Sequence, residues 1–233
     1  MKKIKIGILG GVGPLATVYF QKLLIENTPA SKDQDHLDTI VINQGSIPDR
    51  TDFILGKSKE DPSKDLIHNA QCLEKMGADF LLMPCNTGHY FFEAIQEKIS
   101  IPMIHMVKET VQYAREQKAK KIGFLATDGS LKIGLYANLC REYGLEYIIP
   151  DEKLQKKVMS LIYDQVKANK PLLHEDFDDL VEEMYKKGCD HVILGCTELS
   201  IFYAQKKEKD PRLIDSLSVL AKKTIEKAQS VSL

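Results

Sequence analysis

The sequence predicts an α/β protein of two similar halves, in which each half is a parallel sheet covered by helices on both faces. Apolar, β-rich runs alternate with amphipathic stretches along the 233 residues, a pattern typical of parallel sheets. The landmarks of the first half recur in the same order in the second. The recurrence keeps one constant offset, which pairs Asp79 with Asp190 and Cys85 with Cys196. Parallel sheets bind ligands at the carboxyl ends of their strands, so two such edges facing each other would share one cleft.

The first half begins with a β-rich run from Ile4 to Leu9 and a glycine turn, Gly10 to Gly13, which leads into a helix opening with Pro14. The apolar face expected of this helix consists of Leu15, Val18, Tyr19 and Leu23. The patterns that follow predict a strand at 39–43, a long loop at 44–56, a helix at 61–76, a strand at 80–83, a helix through Ile95 and a short strand at 101–104.

The second half restarts the pattern with a β-rich run at 120–125, and a turn at 127–130 takes the place of the glycine turn. The remaining elements are predicted as a helix at 131–143, a short strand at 145–149, helices at 154–168 and 177–187, a strand that runs into Cys196, a strand at 211–214 and a last amphipathic helix at 217–228.

The composition indicates a soluble globular protein. Hydrophobic residues make up 43% and charged residues 28%, and the formal net charge of −1 favours neither nucleic acid nor a membrane surface. No stretch approaches the length of a membrane span, and residues 1–7 are too polar for a signal peptide. The five cysteines are scattered, which is typical of the reducing cytosol and not of a disulfide framework. We therefore expect a cytoplasmic protein without nucleic-acid or membrane partners.

Two of the cysteines end apolar strands and precede predicted helices. We expect Cys85 and Cys196 to face each other across the cleft and to be a catalytic pair. A helix N-terminus should lower a thiol pKa from about 8.5 toward neutrality. One thiolate could then remove a proton from a carbon while the opposite thiol returns one, which inverts a stereocentre. The other interpretations are buried strand-end cysteines, a zinc site, which lacks closely spaced Cys or His pairs, and a disulfide.

The glycine turn allows two functional interpretations. Residues 11–16 fit the dinucleotide fingerprint G-x-G-x-x-A after a strand. However, the second strand ends in Asn43 and offers no acid for a ribose hydroxyl. We interpret Val12 and Gly13 as part of a turn whose backbone amides meet a substrate carboxylate. The alternative is a tight strand–helix turn without a ligand.

Several polar residues near these landmarks remain candidates. Arg50, expected in a loop, can bind a carboxylate with two parallel hydrogen bonds or can pair with a neighbouring aspartate. Lys167 ends a helix and is either a site residue or solvated. Glu198 either tunes the Cys196 thiol or caps the helix start. His89 is expected to pack beside the site and not to carry protons.

With these residues assembled, the chain resembles the cofactor-independent aspartate/glutamate racemase superfamily along nearly its whole length. The stretches that carry the resemblance are 10–17, 47–51 with 54–57, 84–87 with His89, and 195–198. The two cysteine motifs are specific to the superfamily, and Ile-Pro-Asp-Arg-Thr at 47–51 points to its aspartate branch. One departure is Gly88, where the superfamily often has alanine; a glycine should loosen that helical turn slightly.

The resemblance implies two three-layer α/β domains related by pseudo-twofold symmetry, with the active site in the cleft between them. Residues 1–107 with 214–233 would form the first domain, the last helix packing back onto it, and residues 108–213 the second. The superfamily works without pyridoxal phosphate or a metal ion, usually as a homodimer.

The resemblance also assigns residues. Cys85 and Cys196 match the two acid/base cysteines. The positions that hold substrate carboxylates are matched by Asn86, Thr87, Thr127 and Thr197, and Arg50 with Lys167 resembles the basic pair that handles an acidic side chain. Val12, Gly13 and Glu198 complete the expected substrate-binding set.

The sequence thus predicts a racemase that interconverts L- and D-aspartate with two thiols. The alternatives within the superfamily are a glutamate racemase, a broader acidic amino-acid racemase, a hydantoin racemase and a maleate isomerase. Two intact cysteines disfavour a one-cysteine decarboxylase. Outside the superfamily, a nucleotide-dependent oxidoreductase would bind its cofactor at the glycine turn, and a non-catalytic binding protein would hold aspartate without turnover.

Overall fold

A computed structural model describes residues 3–231, and within them the chain forms two four-stranded parallel sheets. The strands are β1 (Lys5–Gly10), β2 (Asp38–Asn43), β3 (Phe80–Leu82), β4 (Met103–Ile104), β5 (Lys121–Ala126), β6 (Glu146–Ile148), β7 (His191–Gly195) and β8 (Leu213–Asp215). The first sheet has the order β2-β1-β3-β4 and the second β6-β5-β7-β8. The two halves therefore share one topology, and the prediction of two similar parallel α/β units is confirmed.

Helices connect and cover the strands. The α-helices are α1 (Pro14–Asn27), α2 (Arg50–Leu55), α3 (Ser63–Lys75), α4 (Phe92–Gln96), α5 (Met106–Glu116), α6 (Asp128–Lys132), α7 (Leu135–Glu142), α8 (Glu152–Ser160), α9 (His174–Lys186), α10 (Thr197–Gln205) and α11 (Ser216–Val231). Short 3₁₀ segments cover Asp33–Asp35 and Thr87–Phe91, and a π-helical segment, Leu161–Lys167, continues α8. Within the described residues, none of these helices combines the length and apolarity that a membrane crossing requires.

Each sheet is buried on both faces, as a parallel sheet with crossover helices must be. In the first sheet, Ile6 and Ile8 of β1 pack in one apolar cluster with residues of α1 and α11. Leu9 and Leu81 belong to a second cluster on the opposite face, which includes residues of α3. The alternation of strand side chains between these clusters gives each half its three layers.

The C-terminal helix α11 joins the first half although it follows the last strand of the second. Leu217, Leu220 and Ile225 lie in the same apolar cluster as Ile6 and Ile8. Its strand neighbour β8 still pairs with β7 as far as its last residue. The division of the chain into residues 1–107 with 214–233 and 108–213 stays a prediction.

The predicted apolar face of α1 is wrong in part. Leu15 is 48% and Val18 54% exposed, whereas Phe20, Leu23 and Leu24 are buried. Because α1 carries apolar residues on more than one side, periodicity alone does not identify the inward face. The contacts of α1 with α10 and α11 decide it.

The single helix expected at 131–143 is also wrong, because the chain forms α6 and α7 there. Gly134 separates them with a φ of 64°, the left-handed conformation that glycine adopts without steric penalty. The expectation that Arg50 lies in a loop is corrected as well. It is the first residue of α2, and the Asp49 side chain caps that helix by accepting a hydrogen bond from the Asp52 N–H.

Candidate active site between the two halves

The predicted site residues meet at the carboxyl ends of β3 and β7. One inner cavity between the halves is lined by Val12, Asp49, Arg50, Thr51, Cys85, Asn86, Thr87, Thr127, Lys167, Cys196, Thr197 and Glu198. Every predicted residue except Gly13 is in this set. Asp49 and Thr51 were not predicted as site residues, although they directly flank Arg50. The two cysteines thus line one cavity from different halves of the fold.

The cleft is closed around this inner cavity. Its volume of about 10 Å³ is room for roughly one water molecule and not for an amino acid. A larger vestibule of about 450 Å³ lies next to it and includes Gly13 in its wall. Asp49, Arg50, Lys167 and Glu198 line both spaces. A ligand of amino-acid size would enter from the vestibule and would require the halves or their side chains to move apart.

Cys85 lies in a tight turn before the 3₁₀ segment Thr87–Phe91. Its carbonyl oxygen accepts a hydrogen bond from His89 Nδ1 at 2.8 Å, and His89 Nε2 accepts one from the Met106 N–H at 3.0 Å. The backbone N–H can only donate, so the ring proton must be on Nδ1. Burial lowers the pKa of His89 to about 3. His89 is therefore neutral near pH 7 and supports the turn, as expected from the sequence.

Cys196 occupies the N-cap position of α10, the nine-residue helix Thr197–Gln205. Its Sγ donates a hydrogen bond to Glu198 Oε2 at 2.9 Å, and the Thr197 hydroxyl lies 3.4 Å from the same oxygen. Glu198 is buried, with 5% of its surface exposed. A carboxylate therefore faces this thiol directly.

The prediction that both thiol pKa values lie near neutrality is wrong for the closed cleft. Burial raises the pKa of Cys85 and Glu198 raises it further, although the positive charges of Arg50 and Lys167 oppose the shift. Burial and then the Glu198 carboxylate raise the pKa of Cys196 well above its ordinary value. Loss of solvent around the thiols outweighs the helix N-terminus because desolvation disfavours the charged form.

Hydroxyl groups from both halves form a buried cluster beside the cavity. Thr87 Oγ1 lies 2.9 Å from Thr127 Oγ1 and 3.0 Å from Ser130 Oγ. The Ser130 N–H donates to Thr127 Oγ1 at 3.2 Å, which makes Thr127 the N-cap of α6. The two predicted carboxylate-binding threonines therefore lie next to each other.

The Asn86 side chain is held by residues that the sequence did not identify. Tyr136 donates a hydrogen bond to Asn86 Oδ1 at 2.5 Å, and Asn86 Nδ2 donates to Ser216 Oγ at 3.0 Å. Ser216 Oγ in turn donates to the Leu194 carbonyl at 2.7 Å. The oxygen and one N–H of the Asn86 amide are thus engaged, and these bonds fix the orientation of the side chain. Because Tyr136 and Ser216 are distant from Asn86 in sequence, no local pattern indicates the contact.

Arg50 is a buried cation without an anionic partner. It is 7% exposed, and its Nη1 donates to the carbonyls of Ile47 at 3.2 Å and Pro48 at 2.9 Å. No carboxylate within residues 3–231 forms an ion pair with it, so the expected alternative of a bridge to a neighbouring aspartate is not formed. Arg50 lines the inner cavity, and its guanidinium has further N–H donors besides those of Nη1.

Asp49 pairs instead with Lys167 from the other half. The Lys167 Nζ lies 3.2 Å from Asp49 Oδ2, and the Tyr163 hydroxyl donates to both Asp49 oxygens at 3.1 and 3.2 Å. Lys167 Nζ also lies 3.9 Å from the centre of the Tyr163 ring, within cation–π range. The π-helical segment supplies both Tyr163 and Lys167. These contacts join the halves at the rim of the closed cleft.

The glycine turn abuts the second half, and two of its residues must be glycine. Gly13 has a φ of 115° at the N-cap of α1, and a β-carbon there would lie 3.1 Å from Glu198 Oε1. Gly11 has a φ of 88°, and a β-carbon there would lie 2.1 Å from the Gln44 carbonyl oxygen. Gly13 therefore lies in the vestibule wall beside Glu198 and not in the inner cavity.

Comparisons with known proteins agree with this architecture. The sequence model of the Asp/Glu/hydantoin racemase family matches residues 9–224. A broad specificity amino-acid racemase, RacX of Bacillus subtilis, is 32% identical over 94% of this chain and 96% of its own length. The aspartate racemase of Picrophilus torridus superposes with a TM-score of 0.86 at 29% identity, covering 97% of this chain and 94% of that one. An aspartate racemase homologue from Pyrococcus horikoshii has a TM-score of 0.77 at 26% identity, covering 98% and 100%.

Proposed function

The chain belongs to the Asp/Glu/hydantoin racemase family and is an amino-acid racemase, and from this premise we propose that it interconverts L- and D-aspartate. In the proposed reaction one cysteine of the pair Cys85 and Cys196 acts as a thiolate base. It takes the α-proton from one face of the substrate, so that a Cα–H bond breaks and an S–H bond forms. The other cysteine gives its thiol proton to the opposite face, which forms the new Cα–H bond. No pyridoxal phosphate or metal ion takes part.

The observation that carries the choice of an acidic substrate is the unpaired guanidinium of Arg50. A buried charge without a counter-ion is costly, so the site is built to receive an anion there. Arg50 and Lys167 together offer two cations at the rim of the cavity. The side-chain carboxylate of aspartate would compete with Asp49 for Lys167. It would also accept hydrogen bonds from the Arg50 guanidinium.

The α-carboxylate is assigned to the neutral donors of the cavity. We assign it to hydroxyl or backbone N–H groups of Val12, Asn86, Thr87, Thr127 and Thr197, which line the inner cavity, and of Gly13 in the adjoining vestibule wall. Fixed donors of this kind stabilise the charge that develops when the α-proton leaves. They would stabilise the carbanion-like transition state, a role that a cofactor fills in other racemases.

A second candidate substrate range follows from the relatives. The Bacillus subtilis relative is a broad specificity amino-acid racemase. For this chain, the second candidate is an activity that extends to neutral amino acids. The two ranges differ in what Arg50 contributes. A racemase selective for aspartate needs its guanidinium, whereas a broad one would turn over neutral substrates without it.

The experiment uses purified, reduced protein without added cofactor and follows the enantiomer ratio of L-aspartate, L-glutamate and L-alanine. We expect racemisation of aspartate, slower turnover of glutamate and none of alanine. Arg50→Gln should lower kcat/KM for aspartate by about a hundredfold, because a charged hydrogen-bond pair is lost. Arg115→Gln, which removes a surface guanidinium beside Tyr143, is the matched control and should leave the rate unchanged. Equal rates for all three amino acids would support the broad activity, and no turnover of any would contradict both proposals.

The proposal extends to a cytoplasmic homodimer, which the resemblance to the superfamily supports. Light scattering on the purified protein should give twice the chain mass of 26.3 kDa.

A further inference from the structure

Glu198 links the Cys196 thiol to the outer vestibule. Its Oε2 accepts the hydrogen bond from Cys196 Sγ at 2.9 Å inside the closed cleft. Its Oε1 lies on the other side, beside Gly13, where a β-carbon would come within 3.1 Å. Gly13 forms part of the vestibule wall, and Glu198 lines both the vestibule and the inner cavity. One oxygen of the carboxylate thus contacts the thiol, and the other lies beside a residue of the vestibule wall.

The Glu198 carboxylate is buried without a salt bridge to any described residue. It is 5% exposed, and within residues 3–231 no cation forms an ion pair with it at 4 Å or less. Its hydrogen-bond donors are the Cys196 thiol and the Thr197 hydroxyl, both of which carry exchangeable protons. Lys167 lies near enough for its charge to interact with Glu198, but the two do not form an ion pair.

The other cysteine lacks an equivalent group. The residue that follows Cys85 by two positions is Thr87, which hydrogen-bonds Thr127 and Ser130 in the hydroxyl cluster. The duplicated motifs therefore place a carboxylate next to one thiol only. Of the two site thiols, it is Cys196 that is hydrogen-bonded to a carboxylate lining the vestibule.

A two-thiol racemase needs a path for protons because each turnover exchanges the protonation states of its thiols. After Cys85 has taken the α-proton and Cys196 has given its own, Cys85 is a thiol and Cys196 a thiolate. The enzyme must reverse these states before it can act on the same enantiomer again. We infer that Glu198 is a proton shuttle, which carries a proton from the vestibule to the Cys196 thiolate and so resets the free enzyme between turnovers. This inference rests on the proposed two-thiol function.

The proton balance of the reset is simple. Water or a buffer acid in the vestibule protonates Glu198 at Oε1, and the carboxylic acid then protonates Cys196 from the side of Oε2. Cys85 releases the α-proton to solvent when the cleft opens and the product leaves. One proton enters and one leaves, and neither an oxidant nor a reductant is needed.

The test compares single and multiple turnovers of Glu198→Gln, which keeps the shape of the side chain but cannot relay a proton. With enzyme in excess, in separate runs with L- and D-aspartate, one turnover of the enantiomer that Cys85 deprotonates should proceed within about threefold of the wild-type rate, because resting Cys196 is already protonated. With substrate in excess, kcat should fall about tenfold or more. The surface variant Glu152→Gln is the matched control for the loss of one carboxylate and should change neither rate.

Rescue by a small acid provides the second readout. Glu198→Ala removes the carboxylate and leaves space that opens on the vestibule. Formate should restore its multiple-turnover rate in a saturable manner, and chloride at the same ionic strength should not. A merely structural role of Glu198 would not be rescued in this way.

The outcomes separate the shuttle from the function on which it rests. An active wild type with an unchanged multiple-turnover rate in Glu198→Gln would overturn the shuttle alone. An equal loss in single and multiple turnovers without formate rescue would also overturn it, because Glu198 would then only position Cys196. An inactive wild-type enzyme would overturn the proposed function and the shuttle together.

Discussion

The two cysteine motifs occupy equivalent positions in the two halves and differ in what surrounds the sulfur. Both follow the third strand in the order of their sheets, β3 and β7. Cys196 begins a nine-residue helix and hydrogen-bonds a carboxylate. Cys85 precedes a five-residue 3₁₀ segment, and a neutral histidine holds its backbone.

This difference shows which properties a repeated fold preserves. The repeated strand order places both sulfurs at the same cavity, which is what a reaction on two faces of a carbon requires. The electrostatics are set by individual side chains and have diverged. Arg50 favours the thiolate of Cys85, whereas Glu198 favours the thiol of Cys196. We therefore expect symmetric placement with unequal proton affinity.

Replacing either cysteine gives the largest effect. Cys85→Ser and Cys196→Ser should each lower racemisation by about a thousandfold or more, because a hydroxyl is a far weaker acid than a thiol and one face of the substrate loses its proton carrier. A chiral assay of both variants measures this. Cys72→Ser, which changes a half-buried cysteine on α3, should retain the wild-type rate. If either active-site variant kept a tenth of the activity, the two motifs would not share the reaction.

The pH dependence of racemisation tests the surroundings of both thiols. Because burial raises the pKa of both thiols above the ordinary value, the reactive thiolate is scarce at pH 7. Its fraction increases about tenfold with each pH unit below the pKa. We expect kcat/KM for aspartate to rise with that slope between pH 7 and 9. A plateau that begins near pH 7 would mean that the working thiol has a neutral pKa, as the helix-terminus argument predicted.

His89 supports only the Cys85 side, and its contribution to stability depends on pH. Its pKa of about 3 in the folded state is lower than the ordinary value of 6.5, so the unfolded chain binds the proton more tightly. The stabilisation is complete above about pH 6.5 and is lost as the pH falls toward 3. By pH 4.5 the loss should reach about 2–3 kcal/mol.

Urea unfolding of the wild type and of His89→Asn at several pH values measures how much His89 contributes to the free energy of unfolding. The variant should be less stable at pH 7.5 but should lose less stability on acidification than the wild type. Parallel pH curves for the two proteins would show that His89 is not a buried neutral group.

The smallest expected effect is that of adding a methyl group at Gly88, which alters only the packing beside Met83. A β-carbon there would lie 2.8 Å from Met83 Sδ and 2.9 Å from its Cε, whereas the equivalent position after Cys196 holds the buried Leu199. Gly88→Ala should destabilise the fold by about 1 kcal/mol, because the flexible Met83 end can move but the site is tightly packed. Thermal unfolding measures it. In a Met83→Ala background, which by itself costs about 2–5 kcal/mol because Met83 is fully buried, adding Gly88→Ala should cause little further loss. A stabilised single variant would support the view that Gly88 merely loosens the turn.

The sequence was informative wherever a local pattern decides the structure. Apolar runs and the repeated spacing were enough to predict both sheets and the meeting of Cys85 with Cys196. The contacts of Lys167 with Asp49 and of Asn86 with Tyr136 could not be predicted, because they join residues far apart in the chain whose neighbours carry no matching pattern. The thiol pKa was mispredicted for a related reason. A helix start can be recognised in sequence, but the degree of burial that outweighs it is a property of the closed cleft.

The most direct test of the central claim follows deuterium at the α-carbon during the first turnovers of L-aspartate in heavy water. If two thiols act from opposite faces, the D-aspartate formed early should carry deuterium while the remaining L-aspartate keeps protium. Deuterium appearing equally in both enantiomers from the start, or D-aspartate that retains the original protium, would show that one group serves both faces and would contradict the account.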